Sequence, residues 1–501
     1  FNGGLAYDVQ EIEVPDGEPR RARVDITVEP GPPFILTRHD FVITEDGGTP
    51  VTLASAATLG SPVGEPAVAQ TILDAETRAV ARLTHRGRPY ARRTGREAVA
   101  DLELAQIEID TGISAGPEYG MQAPQFEGLD DVEADYLRTY LNWEAGQIFD
   151  QRVLDEYQRR LSDTRLFRAV SVRPPETPPE GESVPVTVSV EEGPKRTVTA
   201  GVRFSTDRGP AARGTFEHRN LFGRNETANL EAFAGLDEQR LVGRYREPQF
   251  LRHQQDFVAA AGVRRVEDDA FDELAFTTTA GIERVLSSKW EVGASGLFEV
   301  TQTTDDRGDT AYVLFGLPVY ASYDGTQDFL NPTQGWRLRA DVTPFMGLAD
   351  DDTMPLFTRI DTRASHYVAL DAEARYVLAG RARLATIIAD ALDDVPSPRR
   401  LYSGGGGSVR GFAERSIGPE DSDGDPSGGL SAVEAGIELR ARVFGDLGGA
   451  VFVEGGAVSE EAHFEVEDPS VAAGAGVRYF SPVGPIRFDV GVPLNPDDDD
   501  D

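Results

Sequence analysis

The chain of 501 residues has no cysteine and only two lysines, Lys195 and Lys289. Without cysteine there can be no disulfides, zinc–thiolate sites, iron–sulfur clusters or thiol nucleophiles. Histidine is also scarce, and no pair has a metal-ligand spacing such as His-x-x-x-His, so we expect each histidine to be structural. The six are His39, His85, His218, His253, His366 and His463.

Positive charge is in short supply: 49 Lys and Arg residues stand against 85 Asp and Glu, a formal net charge of −36. A surface of this sign repels phosphates, so nucleic acid is not expected as a partner. No run of about 18 apolar residues occurs, which excludes a membrane-spanning helix. The chain opens at Phe1 without a signal-like segment and ends in Asp497–Asp501. We expect a chain trimmed at both ends.

Motifs for catalysis are missing as well. Gly404–Gly407 is not followed by Lys-Ser or Lys-Thr, which argues against a nucleotide site. The sequences around Ser295 and Ser408 both lack the Gly-x-Ser-x-Gly elbow. Asp421–Asp425 alternates carboxylates as a calcium loop does, yet the closing Glu is absent, so an acidic surface loop is the favoured interpretation. The sequence therefore predicts a protein that is not an enzyme and has no cofactor or metal.

The first 194 residues contain a weak repeat. A strand-like run ending in Gly-Pro recurs at Gly31, Gly116 and Gly193, and a period of about 80 residues is typical of arrayed small domains. We predict the end of a first domain over 1–32 and complete domains over 33–117 and 118–194.

Hydrophobic periodicity predicts both helices and strands within these repeats. In the third, helices are predicted near Val132–Leu141 and, after Asp150 as N-cap, over Val153–Leu161. Strands are predicted at 121–127, 167–172 and 184–190, which gives the order β-α-α-β-β. The second should repeat this order, with a strand at Phe34–Ile43, helices at Pro66–Leu73 and Ala75–Arg86 closed by Gly87, and two further strands.

From Lys195 the period changes to 2. Trp336, Leu338, Ala340 and Val342 alternate with charged residues, and about fifteen such runs follow one another to the end of the chain. Long strands with one apolar and one ionic face favour a transmembrane barrel over a soluble sandwich. Since bacterial barrels usually have an even strand number, we predict about 16 antiparallel strands over 195–501, with the last strand missing and a long loop at 390–429.

Several motifs inside the barrel region resemble one family. The loop carries Val409-Arg410-Gly411-Phe412, and two later segments are Val451–Gly456 and Arg478–Asp489. Asn331–Gly335 and Arg219–Gly223 add to the pattern. Together they resemble the BamA/TamA-type outer-membrane assembly factors, and the repeats resemble that family's POTRA domains. The layout is most similar to the TamA-type autotransporter assembly subunit.

The resemblance implies a contact between loop and lumen. The Arg of the loop motif, here Arg410, is expected to reach inward to Phe452 and Glu454, where the family more often has Asp. A guanidinium can both pair with a carboxylate and stack on an aromatic ring. The residues of this candidate contact are Val409, Arg410, Gly411, Phe412, Phe452 and Glu454.

The resemblance also implies a function in the outer membrane of a Gram-negative bacterium, with the POTRA domains in the periplasm. Unfolded outer-membrane or autotransporter clients would dock by strand addition at POTRA edges and enter the bilayer through a lateral barrel seam. The implied partners are these clients, outer-membrane lipid and a TamB-like periplasmic protein. The candidate docking edges are marked by Tyr90, Val99, Phe167 and Val172. The candidate first strand of the seam contains Arg196, Val198, Gly201 and Ser205.

Three alternatives stay open. A two-partner secretion exporter shares the architecture and usually has two POTRA domains and a plug helix. A BamA-type subunit typically has five POTRA domains. A passive porin needs no periplasmic repeats, although repeats occupy more than a third of this chain.

Overall fold

The computed structural model describes residues 4–12, 21–29, 33–44, 53–205, 208–464, 466, 468–481 and 484–495. The chain divides into two compact units. One comprises 1–130 and 140–193, and the other comprises 131–139 and 194–501. The first unit combines helices with small sheets, and one large antiparallel sheet dominates the second.

The first unit begins with a two-stranded antiparallel sheet. Its strands are β1 (Gly4–Ile12) and β2 (Arg21–Glu29). The strand-like run that precedes the first Gly-Pro pair lies within β2, whereas Gly31 and Pro32 lie outside the described residues.

A three-stranded mixed sheet and one helix follow. The elements are β3 (Ile35–Thr44), α1 (Ala69–Thr84), β4 (Arg92–Asp101) and β5 (Gln106–Ser114). The sheet order is β3-β5-β4, with β3 parallel and β4 antiparallel to β5. Helix α1 buries a face of apolar residues three or four positions apart, among them Ile72, Ala75, Ala79 and Leu83.

The prediction of two helices in this domain was wrong. Pro66–Leu73 and Ala75–Arg86 were separated at Asp74, but α1 runs through this position. Asp74 lies on the exposed face, where it accepts a hydrogen bond from Gln70 one turn earlier at 2.9 Å. An exposed Asp at this position therefore does not interrupt the helix.

The next domain repeats the same sheet. It contains β6 (Gly120–Glu127), α3 (Gln151–Asp163), β7 (Phe167–Arg173) and β8 (Ser183–Glu192), in the order β6-β8-β7. Asp150 caps α3 by accepting the Arg152 backbone N–H at 3.0 Å. The short helix α2 (Ala134–Arg138) belongs to the second unit. Among the described residues, no helix has both the length and the apolar character to span a membrane.

The second unit is built on one antiparallel ladder in which strands adjacent in sequence are adjacent in space. Two short strands, β16 (Gly308–Gly316) and β17 (Val319–Asp324), share one position between β15 (Trp290–Asp305) and β18 (Gly335–Ala349), because the ladder is interrupted at Leu317 and Pro318. A proline has no N–H for the ladder, which explains the break. The strands are β9 (Arg196–Ser205), β10 (Gly209–Arg219), β11 (Thr227–Ala234), β12 (Glu238–Glu247), β13 (Gln255–Asp268), β14 (Phe271–Val285), β15 (Trp290–Asp305), β16 (Gly308–Gly316), β17 (Val319–Asp324), β18 (Gly335–Ala349), β19 (Leu356–Ala369), β20 (Tyr376–Ile388), β21 (Ser431–Phe444), β22 (Leu447–Ser459), β23 (Ser470–Ser481) and β24 (Gly484–Pro493).

Burial along these strands is inverted relative to a soluble protein. On β21, Ile437 is 61% exposed, whereas Glu434 and Glu438 are buried. On β18, Trp336 and Leu338 are likewise exposed. Apolar side chains facing outward and ionic side chains facing inward are the pattern of a membrane barrel with a polar interior.

The long loop between β20 and β21 folds into this interior. Val395 and Leu401 of the loop are fully buried and pack with Leu314 and Ile387 of the barrel wall. Further along, Arg415 pairs with Asp268 of β13 at 2.9 Å. The loop is therefore held inside by apolar and ionic contacts.

Candidate functional site

The candidate site is centred on Arg410 in the inward-folded loop. Its Nε lies 3.1 Å from both carboxylate oxygens of Glu454 on β22, and its Nη2 also donates to Oε1. The backbone N–H of Arg410 donates to Glu454 Oε2 at 3.0 Å. The Glu454 side chain is only 2% exposed, so its contacts with protein groups replace the solvation that it lacks.

The same guanidinium contacts three other side chains. Its central carbon lies 3.4 Å from the ring centroid of Phe452. Nη1 donates to Glu438 on β21 at 3.0 Å and to Asp489 on β24 at 2.7 Å. Arg410 thus connects the loop to three strands near the C-terminal end of the ladder.

Three more arginines complete this group. Arg381 lies 2.9 Å from Glu454, and Arg440 donates to Glu438 at 2.6 Å. Arg478 donates to Glu438 at 3.2 Å and to Asp489 Oδ2 at 3.1 Å. We call the seven side chains the arginine cluster: Arg381, Arg410, Arg440, Arg478, Glu438, Glu454 and Asp489. A cavity of about 330 Å³ adjoins the cluster.

Glycines allow the loop motif to approach the strands closely. Gly411 has φ +105°, a conformation that disfavours other residues. A Cβ there would lie 3.0 Å from the carbonyl carbon of Gly491 on β24, and a Cβ at Gly491 would lie 2.8 Å from the Arg410 backbone. Val409 is fully buried and packs with Ala472 of β23, and Phe412 packs on the same group. The motif is therefore wedged against β23 and β24.

Of the six residues predicted for the loop-to-lumen contact, Arg410 meets Phe452 and Glu454 as expected, whereas Val409, Gly411 and Phe412 pack against β23 and β24 beside them. The structure also adds residues to which the sequence analysis gave no role. Arg478 and Asp489 stand at the two ends of the segment Arg478–Asp489, which had indicated only the family resemblance. Arg381 lies on β20 and Glu438 on β21, both at positions that face the barrel interior. The alternation of apolar and charged residues along these strands was the sequence pattern that could have indicated their inward orientation. The described residues contain no group of three His, Asp or Glu side chains that could hold a metal ion.

The four residues predicted for the seam lie apart from the arginine cluster, on β9. Val198 pairs with Phe216, Gly201 with Arg213, and Ser205 with Gly209, all on β10. Arg196 opens the strand. Over the described residues, β9 pairs only with β10 and β24 only with β23, so the ladder has an edge at each end.

The four predicted docking residues lie in the first unit. Val99 is on the edge strand β4 and is 62% exposed. Tyr90 precedes β4 and donates to the Thr177 carbonyl at 3.3 Å, so its assignment to the strand edge was wrong. Phe167 is the first residue of β7, an edge strand of the next sheet. Val172 is buried on β7, and its N–H already donates to the Gln158 side chain of α3 at 3.2 Å.

Comparison with known proteins agrees with this geometry. Residues 220–501 match the model of the Omp85 superfamily domain. The chain belongs to the Omp85 superfamily. Residues 123–193 match the POTRA model, described as a surface antigen variable number repeat. The predicted fold class, POTRA-like α+β domains followed by an antiparallel barrel, is confirmed.

Individual proteins and solved structures show the extent of the similarity. The outer membrane protein assembly factor BamA of Nitratidesulfovibrio vulgaris is 27% identical over 374 residues, which cover 70% of this chain and 45% of that protein. The chain thus spans less than half of this relative. BamA of Haemophilus ducreyi lacking POTRA domains 1–3 superimposes with a TM-score of 0.79 at 17% identity, covering 93% of this chain and 97% of that one. CdiB of Acinetobacter baumannii gives a TM-score of 0.49 at 14% identity, covering 94% and 88%.

The predicted resemblance to BamA/TamA-type proteins is therefore confirmed at the level of the family. The predicted location is confirmed as well: the barrel belongs in a Gram-negative outer membrane and the POTRA domains belong in the periplasm. The comparisons do not single out the TamA-type layout.

Proposed function

We propose that this Omp85 protein is an outer-membrane protein assembly factor that inserts or exports unfolded clients without enzymatic chemistry. The observation that carries the proposal is the anchoring of the Arg410 loop to β21, β22 and β24 by ion pairs and a stacked ring. This anchoring fixes one side of the ladder near its C-terminal edge. Within the described residues β24 pairs only with β23, and a fixed wall beside such an edge suits a protein whose barrel opens there.

The first step of the proposal is docking at β4. All ten residues of this strand are exposed, and within the described residues β4 pairs only with β5. Its free edge can add a client strand through backbone hydrogen bonds. At β7 the Val172 N–H is already bonded. We therefore place docking at Val99 and β4 rather than at Phe167 and β7.

The second step is entry at the seam between β9 and the C-terminal side of the ladder. Val198 is 76% exposed and Val202 is 89% exposed, so the outward face of β9 is open to lipid or to a client. Gly201 adds no side-chain packing to the strand. Pairing with this edge would satisfy a client's backbone groups inside the bilayer.

Photo-crosslinking in proteoliposomes with an unfolded barrel client tests both steps. A crosslinking amino acid at Val202 should capture the client, whereas one at Leu274, which is also outward-facing and 58% exposed but lies on the interior strand β14, should not. In the POTRA region, Val99 should capture it more efficiently than Thr187, a half-buried residue on the central strand β8, which pairs with β6 on one side and β7 on the other. Equal yields within either pair would refute that step.

The partners that we propose are unfolded outer-membrane or autotransporter clients, outer-membrane lipid and a TamB-like periplasmic protein. The client assignment draws on the family and on the BamA similarity. The TamB-like partner is supported only by the resemblance in layout. Co-purification from cells that express a tagged chain would test it.

A further inference from the structure

The outward wall of the barrel contains a groove across β15, β17 and β18. Its volume is about 720 Å³. Strand register places Ala321 beside Ala340, and Ala294 lies one row away opposite Val319. These small side chains leave space between larger neighbours. The larger side chains that line the groove include Ile282, Val292, Val319 and Val342.

Two arginines lie at one end of this groove. In the strand register, Arg284 of β14 lies opposite Gln255 of β13 and Val292 of β15. Val292 in turn lies opposite Ala321, so Arg284 belongs to the same row of side chains as Ala321. Arg252 lies in the turn before β13, next to Leu251, which is 82% exposed. Within the part of the chain that the structure describes, neither guanidinium has a carboxylate partner.

Aromatic residues locate this end of the groove in the membrane. Trp290 and Tyr323 pair one row beyond Arg284, with ring centroids 5.1 Å apart. Trp336 stacks on His366 nearby in the same belt, at 3.9 Å. Aromatic belts mark the boundary between hydrocarbon and headgroups. This boundary is at the end of the barrel where the chain enters β9 from the POTRA region, which is the periplasmic side.

We propose that the groove binds an anionic phospholipid of the periplasmic leaflet. An acyl chain lies over Ala294, Ala321 and Ala340, and the phosphate lies between Arg252 and Arg284. Guanidinium groups pair with phosphate through two parallel hydrogen bonds. A positive charge without a counterion is unfavourable close to hydrocarbon, whereas a lipid phosphate at this depth supplies the missing partner. The site does not depend on the proposed assembly function.

Native mass spectrometry of the full chain in detergent tests the proposal. Phosphatidylglycerol and phosphatidylcholine are added in turn, and the fraction of protein that retains one lipid is measured. The charge variants are Arg252→Gln and Arg284→Gln, and Ala340→Leu fills the groove. The matched controls are Arg224→Gln, an exposed arginine in the β10–β11 turn at the same end of the barrel, and Ala435→Leu, an exposed outward alanine on β21. Heat-modifiable gel mobility verifies that each variant is folded.

Wild-type protein should retain phosphatidylglycerol in preference to phosphatidylcholine. Each arginine variant should weaken this retention about fivefold, which corresponds to the ~1 kcal/mol that one basic side chain contributes near an anionic headgroup. Ala340→Leu should weaken retention of both lipids, and the controls should behave as wild type. No preference in the wild type, or an equal loss in Arg224→Gln, would overturn the proposal. Should Ala340→Leu fail to fold, the arginine variants still decide the outcome.

Discussion

The central carbon of the Arg410 guanidinium lies over Phe452, 3.4 Å from the ring centroid, while nitrogens of the same group pair with Glu454 two residues further along the same strand. Residues two apart on a strand face the same side. A single arginine from the loop can therefore stack and pair at once. Lysine has one point charge and no planar fork, so it cannot make both contacts.

Replacement of Arg410 should destabilise the inward loop. Arg410→Ala leaves the buried Glu454 with Arg381 as its ionic partner, and we expect a loss of about 3 kcal/mol, the low end for breaking a buried pair. Arg410→Lys should recover less than half of this loss. Thermal unfolding in detergent and protease cleavage of the loop measure both effects. Arg265→Lys is the control, since Arg265 pairs with Glu267 on the surface. Equal stability of Arg410→Lys and wild type would contradict the role of the fork.

The length and the charge of Glu454 can be tested separately. Glu454→Gln keeps the shape but removes one of the three carboxylates in the arginine cluster, so four arginines would face Glu438 and Asp489 alone. Glu454→Asp keeps the charge and shortens the side chain by one methylene. We expect Gln to lower the unfolding temperature more than Asp does. A larger decrease in unfolding temperature for Glu454→Asp than for Glu454→Gln would show that the length of the side chain matters more than its charge.

Gly411 is required for both its conformation and its lack of a side chain. Gly411→Ala would force a Cβ to within 3.0 Å of Gly491 at φ +105°. We expect a cost of about 1–3 kcal/mol and faster proteolysis of the loop. Gly406→Ala is a matched control in the same loop, because a Cβ there meets nothing within 4 Å. If both variants cost the same, the close packing against β24 is not what holds the motif.

Sequence patterns located most strands and helices, apart from the false helix break at Asp74, but not the contacts between strands. Period 2 marked the strands because each has one face toward lipid, and the 3.6 period marked α1 and α3. The arginine cluster depends on register. Glu438 lies opposite Phe452, and Asp489 opposite Gly476, only because the ladder pairs in this way. A shift of one residue would turn these side chains outward. Alternation within one strand carries no information on such pairing, which is why Glu438 and Asp489 were missed.

A buried polar network makes the domain of α1 sensitive to acid. His39 is 3% exposed and lies 2.8 Å from Ser61 and 3.0 Å from Thr111. Thr111 donates in turn to Glu76 of α1 at 2.9 Å, and Arg96 of β4 donates to the same carboxylate at 2.6 Å. The network thus joins the helix to the edge strand on which docking is proposed.

Both titrating groups of this network lose stabilisation as the pH falls. Burial lowers the pKa of His39 below 6.5 despite the nearby Glu76, Asp40 and Asp110. The unfolded chain therefore binds the proton first, and stability declines as the pH drops below about 6.5. For Glu76, burial acts to raise the pKa, but hydrogen bonds from Arg96 and Thr111 and the nearby positive charges lower it below 4.5. Its contribution is complete above pH 4.5 and is lost as the pH falls through the folded-state pKa.

Hydrogen exchange of the full chain at pH 7.5 and 5.5, corrected for intrinsic rates, should show weaker protection of α1 and β4 at the lower pH. Each unit by which the His39 pKa is lowered corresponds to about 1.4 kcal/mol. His39→Gln can still bond to Ser61 and Thr111 but does not titrate, so its protection should change little between these two pH values. His85→Gln, just after α1, should keep the wild-type response. An unchanged pH response in His39→Gln would assign the acid sensitivity to another group.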